Sequence, residues 1–366
     1  MMKRFLNTFW CLLVGLLAFA QEPELTVEQH LEDYDFVVKY IEDNYAGFPD
    51  KVVDSTRADY EALKTRLRSQ VSNGERPGWQ AVAEYTAWFN DAHLYVHLVY
   101  CDEQGNYINW TEHYSKKKEI HYESQMEYDP KPVACKVTNK TFLIRFPSCE
   151  GDPDMKWVKN SIKQFKKSHC ENLIIDIRGN EGGSDGYWDP YFSLLYDHEA
   201  TYPAPEYRNT QQNITYMCEK KWKYAGTLKK MSKKSPELDF IGNGYKVIRK
   251  GKVDKTVQKA AIIIDNKVAS AAESMTRMIR DCSSRTHIFG KDNTRGCNDY
   301  SNVALLEFRH IDHYFQVPMS RLTGLPETGT DATGIAPDVR IDLPLPARLT
   351  DNIDEWTIWV AEQLEK

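Results

Sequence analysis

The sequence predicts an α/β protein whose sheet is covered by helices on its faces. Three apolar runs, at 141–146, 173–177 and 260–264, lack the polar alternation of a half-exposed strand. Segments with apolar residues at helical spacing lie at 155–167 and 270–281. Buried strands that alternate with helices are typical of a sheet packed on both sides.

The first residues are predicted to lie outside this fold. Lys3 and Arg4 precede an apolar run that is too short to span a bilayer comfortably, and no later run reaches its length. Ala18-Phe19-Ala20 is typical of the small residues before a signal-peptide cleavage site. We therefore expect residues 1–20 to be a signal peptide. The mature protein would be soluble, starting at Gln21, and located in the periplasm, at the cell surface or outside the cell.

Three helices are predicted next. The first opens at Thr26-Val27-Glu28-Gln29, the pattern of a capping box. A second covers about 56–71, and a third starts near Trp79. Alternating apolar residues over 94–100 then indicate a strand. The expected organisation is a helical N-terminal unit over 21–92, followed by a core over 93–366.

Within the core, residues 187–251 show no clear period and contain a lysine-rich stretch at 229–234. We expect an irregular, solvated insertion near the mouth of the functional site. A last helix is predicted over 351–364.

Composition disfavours several classes of protein. The formal net charge of −6 disfavours nucleic acid as a partner. The eight cysteines form no CxxC pair, which disfavours a zinc ribbon. Export would permit one to three disulfides among the seven cysteines after residue 20, with at least one thiol left over. No metal and no cofactor is expected, no stable membrane insertion is expected, and the oligomeric state stays open.

The first chemical signal is Asp176-Ile177-Arg178-Gly179-Asn180-Glu181-Gly182-Gly183, directly after a predicted buried strand. Adjacent glycines let the backbone approach a ligand, and consecutive N–H groups can bind an anion. The Lys-Ser/Thr that ends a phosphate-binding P-loop is missing. On its chemistry alone, a tight structural turn is the favoured interpretation.

The second signal is Val268-Ala269-Ser270-Ala271-Ala272-Glu273, between a strand and a helix. A serine at this corner presents its hydroxyl at the helix N-terminus, where the Ala271 N–H and the helix dipole could stabilise an oxyanion. Ser270-x-x-Glu273 is equally a good capping box. Taken alone, the cap is the favoured interpretation.

The two motifs together resemble those of the tail-specific peptidases. That family includes the C-terminal processing peptidases, the core of tricorn protease and the interphotoreceptor retinoid-binding protein repeats. Gly334-Ile335-Ala336-Pro337-Asp338-Val339 resembles the stretch that closes the family's core. The resemblance covers roughly residues 25–345. It implies a fold similar to the ClpP/crotonase spiral of β-β-α units, and a serine peptidase acting on peptides or unfolded proteins.

By the same resemblance, Ser270 is the nucleophile. The N–H of Ala271 and a glycine N–H from Gly182 or Gly183 would form the oxyanion hole. Glu273 is expected to cap the helix and not to take part in the chemistry.

The prediction of the general base depends on a departure of the chain from one branch of the family. Processing peptidases carry a lysine in a Thr-x-Gly-Lys stretch, but here it reads Thr294-Arg295-Gly296-Cys297. Lys291 is nearby but out of register. His93 lies where the tricorn-like branch carries its histidine, and its pKa suits proton transfer near neutrality. The preferred prediction is therefore His93, and no PDZ module is expected after it.

The family's late carboxylate has two candidates. Asp331 keeps the closer register to the Gly334 stretch, whereas Glu327 keeps the family's residue type. The resemblance favours Glu327 slightly, for its reach.

Two other functions stay open. An inactive peptidase fold could bind an apolar ligand or peptide through a group of aromatics at 187–192, which could equally belong to a helix core. An acyl-CoA enzyme on the same fold fits poorly with export. The retained serine and histidine favour the peptidase.

Overall fold

A computed structural model describes residues 25–101, 107–109, 114, 122–248, 252–331 and 333–366. The predicted signal peptide lies outside these residues. The described helices are α1 (Val27–Asn44), α2 (Phe48–Lys51), α3 (Asp54–Ser72), α4 (Gly78–Trp88), α5 (Met155–Ser168), α6 (Asp189–Leu195), α7 (Gln211–Glu219), α8 (Ala225–Lys234), α9 (Ala271–Cys282) and α10 (Glu355–Glu365).

The strands in the first half of the chain are β1 (Tyr95–Cys101), β2 (Tyr107–Asn109), β3 (Glu127–Tyr128), β4 (Val133–Lys136), β5 (Thr141–Arg145), β6 (Asn172–Asp176), β7 (Ala200–Pro203) and β8 (Pro205–Arg208). Those in the second half are β9 (Phe240–Gly242), β10 (Tyr245–Ile248), β11 (Lys259–Ile264), β12 (Thr286–Gly290), β13 (Tyr300–Glu307), β14 (Tyr314–Leu322), β15 (Val339–Arg340) and β16 (Arg348–Leu349). The α/β prediction is confirmed.

One sheet, in the order β15-β12-β11-β6-β5-β4, is parallel except for its edge strand β4. Successive side chains of a strand point to opposite faces. Ile175 and Ile262 therefore pack against α5, α6 and α9, whereas Ile174 and Ile263 pack against α10. Both faces are covered, as the continuous apolar runs predicted.

A second sheet, in the order β2-β1-β14-β8-β9 with β13 paired to β14, carries the helical N-terminal unit. Phe315 and Val317 of β14 are fully buried against α1, α3 and α4. The predicted capping box is present, because Thr26 accepts from the Gln29 N–H and the Gln29 side chain accepts from the Thr26 N–H. The three predicted helices are confirmed as α1, α3 and α4.

The insertion is more regular than predicted. Residues 187–251 contain helices α6 to α8 and strands β7 to β10, and β8 and β9 extend the second sheet. Tyr207, Met217 and Leu228 form a small core with Met319 of β14. These elements are too short for a strong period in the sequence, and they are held by this tertiary packing.

The Asp176-x-Arg178 part of the first motif ties the sheet to the last helix. Asp176 and Asp354 each accept hydrogen bonds from both Arg145 and Arg178, at 2.7 to 2.9 Å for the shortest contact of each pair. All four side chains are at most 2% exposed. Burial alone would raise the pKa of Asp176, but Arg178 and Arg145 hold it well below its usual range. We call these four residues the paired network.

Candidate functional site

Two loops meet at the carboxyl end of the parallel sheet. Strands β6 and β11 are adjacent and in register, with Ile175 opposite Ile262, so the turns that follow them lie side by side. The Ala269 N–H donates to the Asn180 carbonyl at 3.1 Å, which joins the two turns. This topology brings the two sequence motifs together.

Ser270 lies at the corner between β11 and α9 in a backbone conformation that serine rarely adopts. Its φ is 52° and its ψ is −121°, and its N–H donates to the Cys297 carbonyl at 2.9 Å. Such strained positions persist only where the surrounding structure fixes them, and they cluster at functional sites. The Ser270 hydroxyl makes no capping hydrogen bond to α9, so the capping-box interpretation is wrong.

His93 contacts Ser270 from the other sheet. It lies between α4 and β1, and its Nε2 is 3.2 Å from Ser270 Oγ. Its Nδ1 is 2.7 Å from the Tyr300 carbonyl oxygen. Because a carbonyl only accepts, Nδ1 carries the proton, which leaves the Nε2 lone pair to accept from the Ser270 hydroxyl.

The environment of His93 favours its neutral form. Burial lowers the pKa of His93, an effect that the Asp91 carboxylate and the Tyr300 carbonyl oppose. Asp91 also fixes the turn that carries His93, since it accepts from the His93 N–H at 2.8 Å and from the Tyr45 hydroxyl at 2.7 Å. A neutral, oriented imidazole beside a hydroxyl is the arrangement of a general base.

Cys297 packs against the same imidazole. Its Sγ is 3.2 Å from His93 Nδ1 and 3.5 Å from Nε2. Burial, with the carboxylates of Asp331, Glu273 and Asp91, raises the pKa of this thiol well above its usual value. The thiol therefore stays protonated. Lys291 is exposed, and its ammonium donates to the Leu343 carbonyl at 3.0 Å.

The cysteines whose side chains the structure describes are free thiols. These are Cys135, Cys149, Cys170, Cys218, Cys282 and Cys297. The disulfides that export would permit are not formed among them. The side chain of Cys101 lies outside the described part of the structure.

Glu273 has a different role from the predicted cap. It is fully buried and accepts from the backbone N–H groups of Gly296 and Cys297 at 2.9 and 2.7 Å, and from the Thr294 hydroxyl. It therefore anchors the segment that holds Cys297 against His93.

The two candidate late carboxylates lie in different environments. Glu327 is exposed, whereas Asp331 is buried and accepts from the N–H groups of Asn298 and Asp299 at 2.7 and 2.8 Å. Burial, Asp299 and Asp91 raise the pKa of Asp331. Asp331 thus bonds to the segment leading to Tyr300, whose carbonyl orients His93.

The glycine turn lies directly against Ser270. A Cβ on Gly182 would be 2.7 Å from Ser270 Cβ, and the φ of Gly182 is +102°, so this position requires glycine. The Gly182 N–H already donates to Asn180 Oδ1 at 3.0 Å. Gly183 and Ala271, by contrast, both line the cavity that contains Ser270 and His93.

This cavity has a volume of about 640 Å³. Ser270 and His93 both line it, and residues of the insertion form much of the remaining wall. The predicted position of the insertion, near the functional site, agrees with this wall.

The aromatics at 187–192 do not form such a wall. Trp188, Tyr191 and Phe192 are at most 3% exposed and belong to the core against the parallel sheet. These three side chains therefore form no apolar pocket, because their rings are already packed against the sheet and its helices.

Two further observations bear on ligands and membranes. Over the described ranges, no cluster of three or more His, Cys, Asp or Glu side chains could hold a metal ion. No helix in that same part of the chain is long and apolar enough to cross a membrane.

No role in the site was predicted for Tyr300 or Asn180, and Glu273 was predicted only to cap the helix. Tyr300 acts through its backbone carbonyl, which carries no residue-type signal. Asn180 stands in the first motif, and its role could have been predicted because an asparagine side chain often hydrogen-bonds the backbone of its own turn. Its Nδ2 donates to the Phe146 carbonyl at 2.8 Å and thereby fixes the glycine turn.

Known proteins resemble this chain in sequence profile and in fold. Mature CPAF aligns with a TM-score of 0.63 at 13% identity, covering 93% of this chain and 96% of that one. Mature CPAF complexed with lactacystin aligns with a TM-score of 0.61 at 12% identity, covering 93% and 97%. A protein from Parabacteroides merdae ATCC 43184, described as a peptidase, aligns with a TM-score of 0.58 at 15% identity, covering 85% and 89%.

A comparison with curated proteins finds no match. The profile of Peptidase family S41 matches residues 140–341, more than half of the chain, and includes both motifs. The solved structures contribute the fold, in which an α/β core follows a helical N-terminal unit. This chain therefore belongs to peptidase family S41.

Proposed function

We propose that the chain is an exported serine peptidase that cleaves peptide bonds through an acyl-enzyme, with Ser270 as nucleophile and His93 as general base. The observation that carries the proposal is the 3.2 Å contact between Ser270 Oγ and His93 Nε2, with His93 Nδ1 bonded to the Tyr300 carbonyl. This contact joins residues 177 positions apart in the sequence.

The first half of the reaction forms the acyl-enzyme. Ser270 Oγ attacks the substrate carbonyl carbon while its proton passes to His93 Nε2. The resulting imidazolium is stabilised by the Tyr300 carbonyl and the nearby Asp91 carboxylate. His93 then gives the proton to the leaving amine as the peptide bond breaks.

The second half returns the enzyme to its starting state. Water attacks the acyl carbon and gives a proton to His93, the ester bond to Ser270 breaks, and Ser270 Oγ takes the proton back. In both halves, the oxyanion would be held by the N–H groups of Ala271 and Gly183. Gly182 is the weaker donor candidate because its N–H is directed to Asn180, and it serves as the close neighbour of Ser270.

Asp331 is the better supported of the two carboxylates, as a positioning residue. It holds the 298–299 backbone next to Tyr300 and so acts on His93 through that carbonyl. Glu327, being exposed, has no comparable support.

Peptides or unfolded proteins are the proposed substrates, in accord with the family. Export is supported by the leader-like residues 1–20 alone. N-terminal sequencing of the protein isolated from all fractions of the native host tests it, with Gln21 as the expected first residue. A mature chain that retains Met1 would overturn export and leave the chemistry untouched.

Hydrolysis of a fluorogenic peptide library tests the proposed chemistry. Ser270→Ala should lower kcat by about 10³-fold or more, because no nucleophile remains. Ser193→Ala is the matched control, since Ser193 is exposed on α6. Unchanged turnover in Ser270→Ala, with a native circular dichroism spectrum, would refute Ser270 as the nucleophile.

A further inference from the structure

One strongly charged surface of the insertion has no part in the chemistry described above. Residues 220–234 contain seven lysines and no acidic residue, in a chain whose formal net charge is −6. All seven lysines are exposed. We call them the lysine patch: Lys220, Lys221, Lys223, Lys229, Lys230, Lys233 and Lys234.

Helix α8 presents most of this patch on one face. Leu228, on the opposite side of the helix, packs into the small core of the insertion. The ten residues of α8 make the helix about 15 Å long. A bound peptide in extended conformation would cover that length with about five residues. The lysines that share the exposed face are Lys229, Lys230, Lys233 and Lys234.

The positive charges of the lysine patch are not neutralised by neighbouring side chains. None of the seven ammonium groups forms an ion pair with a carboxylate that the structure describes. The ammonium group of Lys223 lies 5.3 Å from the ring centroid of Tyr224. The macrodipole of α8 compensates charge in its last turn only, which contains Lys233 and Lys234. Because like charges at this density repel one another, an anionic ligand bound here would also relieve that repulsion.

The lysine patch begins at the cavity that contains Ser270. Lys223 lines this cavity, and so do Ala225 and Leu228 near the start of α8. Lys246 of β10 adds another exposed lysine to the same lining. A polypeptide bound at Ser270 whose chain leaves the cavity past Lys223 would therefore meet the lysines of α8.

Two other kinds of anionic partner fit the lysine patch less well. A helix that binds a lipid surface turns an apolar face to the membrane beside its charged face. The apolar side of α8, which includes Leu228 and Met231, is packed in the core of the insertion instead. Nucleic acid is disfavoured by the net negative charge of the chain.

We propose that the lysine patch binds an acidic segment of the polypeptide substrate, outside the cavity in which the peptide bond is cleaved. This proposal rests on the proposed peptidase function, and it names the preferred substrates as polypeptides with several Asp or Glu residues on one side of the cleavage site. Each contact between an exposed lysine and a carboxylate is weak and is screened by salt. The preference therefore depends on several such contacts together.

Two matched peptide substrates test the lysine patch. Both contain the same cleavage sequence, and both carry an extension of about five residues, all Glu in one and all Gln in the other, at either end in turn. At about 50 mM NaCl, the Glu extension at one end should lower KM about 10-fold and leave kcat unchanged, because the added contacts stabilise the bound substrate and the transition state equally. At about 500 mM NaCl most of this difference should disappear. Equal KM values for the Glu and Gln substrates at both ends would overturn the proposal.

Variants of two helices locate the preference. The first variant removes the charges of α8 and should abolish the preference for the Glu substrate; it combines Lys229→Gln, Lys230→Gln, Lys233→Gln and Lys234→Gln. The matched control removes four exposed lysines of α5, which does not line the Ser270 cavity, and combines Lys156→Gln, Lys159→Gln, Lys163→Gln and Lys167→Gln. The control changes the net charge by the same amount and should keep the preference. An equal loss in both variants would overturn the proposal, since overall charge and not the lysine patch would then be responsible.

A binding measurement separates this proposal from the peptidase proposal. Fluorescence anisotropy of the labelled peptides with the Ser270→Ala variant requires no turnover, and the Glu peptide should bind about 10-fold more tightly than the Gln peptide. If the wild-type chain hydrolyses neither peptide while the tighter binding depends on the lysines of α8, the peptidase proposal fails and the lysine patch stands as a site for acidic peptides. Binding to phosphatidylglycerol vesicles through these lysines, with equal affinity for the two peptides, would overturn the acidic segment in favour of a membrane surface.

Discussion

Two buried polar clusters lie near the carboxyl end of the parallel sheet, and they differ in how their polar atoms are used. In the paired network, the charges of Arg145, Asp176, Arg178 and Asp354 bond one another. Around Ser270, the central groups are a neutral imidazole, a hydroxyl and a protonated thiol, and buried carboxylates bind the surrounding backbone.

This difference shows how one fold separates stability from reactivity. The paired charges in the interior fix the positions of β5, β6 and α10. Because they bond one another, they are not available to bind a substrate. The Ser270 hydroxyl opens onto a cavity, and His93 keeps a basic lone pair for it. Glu273 and Asp331 are also buried, but each accepts hydrogen bonds from backbone N–H groups and so holds a loop next to His93.

The largest expected effect is a loss of stability when the paired network is broken. Asp354→Asn removes one charge from a buried set and should lower the free energy of unfolding by about 3–5 kcal/mol, measured by urea denaturation. Asp351→Asn is the matched control. Asp351 bonds Arg348 at 2.9 Å on the exposed surface, so its loss should matter far less.

Fluorophosphonate labelling of Ser270 in the folded fraction of Asp354→Asn should proceed at the wild-type rate. A stable variant that no longer labels would contradict the separation between the two clusters.

The next largest effect is on catalysis and depends on the close approach of Gly182 to Ser270. Gly182→Ala would force a Cβ to within 2.7 Å of Ser270 Cβ at a φ of +102°, and should lower kcat/KM by about 10- to 100-fold. Gly186→Ala provides the control in the same loop, since its Cβ would meet nothing closer than Ser184 Oγ at 3.6 Å. Equal activities of the two variants would show that the turn does not position Ser270.

The smallest expected effect is a shift in pH dependence. Burial lowers the pKa of His93 below its usual 6.5, so kcat/KM should fall to half its plateau at a pH below 6.5. Because the Asp91 charge raises this pKa, Asp91→Asn should move the midpoint to still lower pH. Asn retains a side-chain oxygen to accept from the His93 N–H.

Glu327→Ala is the control for that profile, since it removes a carboxylate from the exposed surface and should leave the midpoint in place. An upward shift in Asp91→Asn would contradict the assignment of the acid limb to His93.

The sequence predicted what depends on local pattern. The apolar runs that became β5, β6 and β11 showed continuous hydrophobicity, and the helices α1, α5 and α9 showed their period. Ser270 and the glycine turn were found because both follow such strands, and adjacent parallel strands end together.

What the sequence did not predict depends on tertiary contacts. Glu273 matched a capping box, but its carboxylate accepts from the backbone N–H groups of Gly296 and Cys297 in a distant loop. A contact of this kind is not visible in the local sequence. Tyr300 contributes a backbone carbonyl that any residue would supply. The insertion was expected to be irregular because its short elements are ordered by packing on β14.

The most direct test of the central claim is the rate at which a fluorophosphonate labels the protein, with the adduct located by peptide mapping. We expect an adduct on Ser270 in the wild-type chain, and a rate about 10²- to 10⁴-fold lower in His93→Ala, since the base that takes the hydroxyl proton is lost. An adduct on another residue, or an equal rate in the folded His93→Ala variant, would contradict it.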